Sequence, residues 1–143
     1  MSNQVQGILK DDSGRRIVTA AYCCNGHDLI VDENPLIDGL TTIHLRAQSA
    51  TKGVVDLYLS PIQGDGRVKG GEGIPMDELL DIRCPVCGAS FEVVAPCYCR
   101  HGMFVAIYLK PNCQYREAIV VCNSWGCKHS FVKLESRIIL STP

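Results

Sequence analysis

Apolar and polar positions alternate along this chain in short runs, and no window is long and periodic enough for an amphipathic helix. The stretches "TTIHLRA" (Thr41 to Ala47) and "VVDLYLS" (Val54 to Ser60) each put apolar side chains on one face of a strand. The intervening "QSATKG" joins them into a hairpin. An earlier hairpin is expected from "VQGIL" and "RRIVTAAYC", which flank "KDDSG", a turn composition with a glycine where positive φ is tolerated. A short "LIV" and a polar break, "DENPLIDG", lie between the two hairpins. Three later runs read as strands: "MFVAIYL" (Met103 to Leu109), "EAIVVC" (Glu117 to Cys122) and "FVKLESRIIL" (Phe131 to Leu140). "MDELLDIRC" reads as a helical turn that continues as a strand into Cys84. The stretch from Pro61 to Pro75 holds five of its fifteen positions as glycine. It lacks the Gly-Lys-Ser/Thr of a phosphate-binding loop, so it reads as a mobile loop.

Composition sharpens this picture. At 143 residues with 46% apolar content the chain has material for one core, but aromatics are only 6%, and Val, Ile, Leu and Cys make up much of the rest. That mixture favours strands. The net charge of −1 supplies no general field for nucleic acid or for an acidic membrane surface. No apolar run reaches the length of a membrane span, and "MSNQVQGILKDDSG" lacks the apolar stretch of a secretory leader, so the expected location is the cytoplasm.

Nine cysteines then need an explanation. In a reducing compartment disulfides rarely persist, and clustered cysteines are more often metal ligands. "RCPVCGA" is the strongest local signal: Cys84 and Cys87 stand two residues apart, with Gly88 next, as in a zinc knuckle. A knuckle gives two ligands, whereas a structural zinc site takes four. "AYCCNGHD" offers a second pair at the same spacing, Cys24 and His27. Cys23 competes with Cys24, because adjacent side chains on a strand face opposite ways and only one should reach the ion; the knuckle spacing favours Cys24. The alternative for His27 is an ordinary solvated histidine. The expected first site is therefore Cys24, His27, Cys84 and Cys87.

"PCYCRHG" and "VVCNSWGCKH" form a second constellation. Cys97, Cys99, Cys122 and Cys127 are the preferred ligands, with His101 and His129 as alternates. Cys113 is left without a partner and reads as a free thiol. The thiols come in chelating pairs, where a catalytic thiol is usually single, and Asp28 is the one carboxylate near the first site, so two closed structural zinc ions are expected. Iron on thiolates is the other option; the histidine of the first site favours zinc. The fold class expected from these signals is mainly β, with zinc-ribbon or zinc-knuckle hairpins in a single small domain with little helix. It spans 1–143, with the first zinc hairpin pair over about 17–96 and the second cysteine cluster over about 97–130.

Cys23 with "GHD" (Gly26, His27, Asp28), then "RCPVCG" (Arg83 to Gly88) and "EVVAP" (Glu92 to Pro96), resembles the small subunit of the acetone carboxylases, and more closely that of the acetophenone carboxylases. The resemblance covers roughly Cys23 to Pro96; the first motif departs from it in placing its two cysteines side by side, and the cluster from Cys97 onward is extra. It implies a non-catalytic zinc-binding subunit of an ATP-dependent ketone carboxylase, a ligase-type hetero-oligomer whose chemistry resides in larger subunits. The residues themselves are in keeping with a scaffold: no nucleotide motif and no Ser/His/Asp or paired-carboxylate pattern is present.

The alternative is a nucleic-acid-binding zinc ribbon. That reading asks for basic residues interleaved with aromatics, whereas Arg15, Arg16, Arg67, Lys69, Arg100 and Lys128 are scattered and 15 acids match 14 bases. A thiol-based enzyme or redox protein ranks below both, because no lone activated cysteine stands out.

Overall fold

The computed structural model describes residues 7–111, 117–134 and 137–140. Among them the chain is mainly β, with 47% of it in strands and no helix. Thirteen strands follow in order: β1 (Ile8–Lys10), β2 (Arg16–Val18), β3 (Leu36–Ile37), β4 (Leu40–Thr41), β5 (Ile43–Ser49), β6 (Gly53–Leu59), β7 (Val68–Lys69), β8 (Asp81–Arg83), β9 (Glu92–Pro96), β10 (Met103–Tyr108), β11 (Glu117–Cys122), β12 (Ser130–Leu134) and β13 (Arg137–Leu140). All named pairings are antiparallel. The larger sheet runs β13-β12-β11-β10-β9, the smaller β7-β6-β5-β8, and β1-β2 and β3-β4 are separate ribbons.

Alternation in β5 produces the smaller sheet's inner face. Ile43, Leu45 and Ala47 are buried, while His44 and Arg46 turn outward. Outside, His44 stacks on Tyr58 and its Nε2 lies 2.9 Å from Asp56, whose carboxylate also accepts from Arg46. Inside, these apolar residues join Leu57 and Ile82 from the same sheet and Val105, Ile107, Ile119 and Val132 from the larger one in one core.

The strands β10 and β11 are apolar on both faces, and the structure uses both. Val105, Ile107 and Ile119 point into the shared core, whereas Phe104, Ala106, Tyr108, Ala118 and Val120 form a second cluster with Cys97, Cys122 and Phe131. A continuous apolar run is what a strand covered on both sides requires. Phe104 meets Phe131 edge to face at 5.2 Å, one of the few aromatic contacts in a chain poor in aromatics.

Both expected early hairpins form, as β1-β2 and β5-β6. The structure differs from the sequence reading in several places. The glycine-rich stretch from Pro61 to Pro75, read as a loop, carries β7, which pairs with β6, and it buries Ile62 and Ile74; β9 adds a strand that was not expected. "MDELL" makes a turn without a helix, because its backbone is taken by the strand end opposite: Asp77 N–H donates to Trp125 O, Leu80 N–H to Asn123 O, and Trp125 N–H to Glu78 O. "FVKLESRIIL" is two strands, β12 and β13, paired as a hairpin with Phe131 opposite Leu140. The polar break holds a small ribbon of its own, closed by Asp38 and Gly39, both at positive φ. The free thiol expected at Cys113 lies outside the described residues.

Leu45 is fully buried between the sheets. Leu45→Ala is expected to cost about 2–5 kcal/mol, read as a lowered midpoint in chemical denaturation with the metal content of the folded protein unchanged.

Candidate metal centres

Each centre is built from turns that the sheets hold still. For the first, Tyr22 exchanges both backbone hydrogen bonds with Tyr108 at the end of β10, and Leu29 N–H donates to Ala21 O. The chain between them must reverse within a few residues. It does so through a turn in which Gly26 N–H donates to Cys23 O, with Gly26 at φ 81°, a conformation that glycine adopts without strain. The opposing turn is the knuckle between β8 and Ser90. Cys84 N–H donates to Ala89 O, Gly88 N–H to Cys84 O, and Gly88 sits at φ 74°. Arg83 and Arg46 clamp this knuckle from outside, donating to Gly88 O at 3.1 Å and Pro85 O at 3.2 Å.

These two turns bring Cys23, His27, Cys84 and Cys87 together, with all four ligand atoms within 4.8 Å of one another. Cys23 Sγ lies 3.4 Å from His27 Nδ1 and 3.9 Å from Cys87 Sγ, and Cys84 Sγ lies 4.0 Å from His27 Nδ1. The knuckle spacing favoured Cys24, yet the structure places Cys23 in this group and leaves Cys24 out of it. The reason is local. Cys23 occupies the first position of the turn, fully buried, and its thiol receives the N–H of Asn25; Cys24, next along, packs toward the cluster of Phe104 and Phe131.

The second centre lies at the other end of β9. Two turns of the larger sheet meet there: the β9-β10 turn carries Cys97 and Cys99, and Cys122 with Cys127 comes from the link between β11 and β12. Their four sulfurs also lie within 4.8 Å of one another, with Cys97–Cys127 and Cys99–Cys122 each at 3.7 Å. His129 Nδ1 stands beside this group, 3.5 Å from Cys97 Sγ and 3.4 Å from Cys127 Sγ. His101, the other alternate, turns its side chain to Asp77 at 3.6 Å.

Two tests favour a cation in each group. A disulfide needs its sulfurs about 2.05 Å apart, and these separations are far longer. A tetrahedral site with metal–sulfur bonds of about 2.3 Å and metal–nitrogen bonds of about 2.0–2.1 Å has ligand–ligand edges of about 3.6–3.8 Å, close to the separations of 3.4–4.0 Å given above for five of the ligand pairs. The donor sets, Cys₃His and Cys₄, are those of closed metal sites.

The backbone also prepares the sulfurs. Amides two residues onward donate to the thiols of Cys23, Cys84, Cys97, Cys99 and Cys122 at 3.3–3.4 Å. Such bonds stabilise a thiolate. Cys87 is drawn down to about 6, first by the side-chain amide of Asn25 at 3.3 Å and then by the backbone of Ala89. At Cys99 burial pushes upward, but the amides of His101 and Gly102 and neighbouring thiols outweigh it and bring the group down to about 6. Burial wins at Cys84 and Cys97, pushed up to about 11, and it also raises Cys122. Each group thus joins a thiol readily ionised near neutral pH to buried ones that a cation would have to deprotonate.

Asn25 and Gly102 escaped the sequence reading as site residues. Asn25 reaches across from one turn to the thiol of the other. A methyl group on Gly102 would stand 2.7 Å from Cys122 Sγ and 2.9 Å from the Ser124 side chain, so the glycine clears room for the sulfur. The Gly directly after His101 could have signalled this crowding. No family model, curated protein or solved structure matches this chain.

Cys23→Ser is expected to remove one metal equivalent per chain and Cys24→Ser none, read by elemental analysis of the purified variants; the opposite pattern would reverse the ligand choice. Gly102→Ala is expected to lose the second metal equivalent alone, because the methyl meets a ligand sulfur and not a flexible side-chain tip.

Proposed function

We propose that this chain is a non-catalytic, zinc-stapled assembly subunit. The observation that carries this reading is closure: each group offers four protein donors of its own, all Cys or His, and includes no carboxylate. A catalytic zinc would keep a position for water and an acid or base beside it. When bound, zinc would supply a fixed tetrahedral charge, and the protein's residues would do the rest. Cys23, His27, Cys84 and Cys87 would fasten the first turn to the knuckle; Cys97, Cys99, Cys122 and Cys127 would fasten two turns of the larger sheet. The imidazole of the first group favours zinc over iron.

The assembly is proposed to be a cytoplasmic hetero-oligomer of the acetone or acetophenone carboxylase type, in which larger subunits carry the ATP-dependent ligase chemistry. Its support is the resemblance of "GHD", "RCPVCG" and "EVVAP". The surface is compatible with a subunit role. β9 is an edge strand between the two centres, with Val93 exposed, and Val86 and Tyr98 are exposed at its two flanking turns. No helix among the described residues is long and apolar enough to cross a membrane. Nothing favours the nucleic-acid alternative. Arg15, Arg46, Arg67 and Arg83 face Asp11, Asp56, Asp38 with Asp65, and Asp81, so their charges are offset at close range.

Isolation of the protein from its own cells is expected to bring down large subunits together with about two zinc per chain. A chain recovered alone, or with nucleic acid, would overturn the assembly reading. In the purified chain, chelation is expected to cause cooperative unfolding, seen as loss of near-ultraviolet circular dichroism around Trp125, because metal binding and folding are linked. Retention of the full signal after metal removal would overturn the stapling.

A further inference from the structure

The second centre has one donor more than a tetrahedral ion takes. Its four sulfurs already make a complete set, yet the imidazole of His129 faces the edge between two of them. Its Nδ1 lies 3.5 Å from Cys97 Sγ and 3.4 Å from Cys127 Sγ. Those separations resemble the ones at the first centre, where His27 Nδ1 lies 3.4 Å from Cys23 Sγ and 4.0 Å from Cys84 Sγ. There, however, the group reaches four donors only by counting its histidine.

The fold holds the surplus imidazole in place from two sides. His129 directly precedes Ser130, which pairs with Val121, so it stands before β12 at the level where Cys122 ends β11. From the other turn Tyr98, between Cys97 and Cys99 in the chain, meets the His129 ring edge to face at 5.5 Å. The two segments that carry the sulfurs therefore position this ring as well. His101 turns away to Asp77 and is no rival.

For an ion to keep four ligands with His129 among them, one thiolate must leave. Cys97 and Cys122 are buried, whereas Cys99 and Cys127 are half-buried and closer to solvent. Cys127 shares an edge with the imidazole, and losing it would strip a donor from the side on which His129 stands. Cys99 pairs with Cys122 on another edge, at 3.7 Å, and can turn outward without disturbing that side. Exchange of a thiolate for a neutral imidazole also lowers the net negative charge that the turns have to bury.

We infer that His129 is a reserve ligand of the second centre: Cys99 can leave the ion, and His129 Nδ1 then completes the set with Cys97, Cys122 and Cys127. The exchange frees the Cys99 thiolate while the turns stay fastened. This rests on the reading of the group as a metal staple and not on the carboxylase-type assembly.

The test uses the full chain loaded with zinc or cobalt(II), read by metal content, by the sulfur-to-cobalt charge-transfer band and by nitrogen NMR of the histidine rings. The unsubstituted chain and His129→Ala are each expected to hold about two equivalents. Cys99→Ser is expected to keep both, with a charge-transfer band weaker by one thiolate's share and a second metal-bound imidazole beside that of His27. Cys99→Ser combined with His129→Ala is expected to fall to one equivalent. A histidine that merely donates a hydrogen bond to the thiolates would leave Cys99→Ser at one equivalent, and that result would overturn the reserve, whether the variant is folded or not. So would two equivalents retained in the double variant, or an equivalent lost in His129→Ala, which would make the imidazole a permanent ligand. Fewer than two equivalents in the unsubstituted chain would overturn the stapling itself and the reserve with it.

Discussion

Sulfur donors from distant segments converge at two points, in groups that could each hold a metal ion. Burial pushes Cys84, Cys97 and Cys122 toward the neutral thiol, while amide hydrogen bonds point at the same sulfurs as if they were thiolates. Without a positive charge these tendencies oppose each other: ionised thiolates at 3.7–3.9 Å repel, and neutral ones waste the amides aimed at them. A divalent ion would reconcile the two. The arrangement of the larger sheet follows, because its strand β9 is pinned at one end by the knuckle and at the other by the β9-β10 turn. The register shift in β9 opposite Phe104 and Val105 takes up the extra residue between those two anchors.

The rest of the core supports these anchors. Tyr22 bonds to Tyr108 and His44 N–H donates to Leu29 O, so the turn bearing Cys23 is held between the larger and smaller sheets. Asn34, buried, donates to the carbonyls of Leu29 and Thr42 and closes the loop that follows. The first centre is therefore a joint between sheets, whereas the second closes two adjacent turns of one sheet. Removing an ion from the first should loosen contacts between layers, and from the second only contacts within one.

Much of this was legible in the sequence for physical reasons that can be named. The β5-β6 hairpin was readable because one face is buried and one is wet, which writes a period of two into the residues. β10 and β11 were readable as strands, but not as strands buried on both faces, since a continuous apolar run does not say what covers it. The division of "FVKLESRIIL" into β12 and β13 was not readable, because apolar residues on both sides of the turn give one uninterrupted pattern. Two-residue spacings located Cys84 with Cys87. They misdirected the choice at Cys23, where the residue that aims inward is set by the turn ending at Gly26 and by the pairing of Tyr22 with Tyr108. Asn25 and Gly102 act across space, on thiols 62 and 20 positions away; the glycine after His101 was a local hint of the second, and nothing in the local spacing hinted at the first.

The second centre shares one segment with a cleft of about 180 Å³ between the two sheets. Cys122 and Cys127 hold the link between β11 and β12 at its ends, and Ser124 and Trp125 within that link form part of the cleft wall. Ser124 N–H donates to Cys122 Sγ and Cys127 N–H donates to Ser124 O, so the serine's backbone is fixed by the same sulfurs that would carry the ion. Holding those sulfurs therefore holds this part of the cleft wall as well. Whatever a bound metal contributes to holding this segment in place it would contribute to the shape of the cleft wall, and loss of the ion would loosen both together.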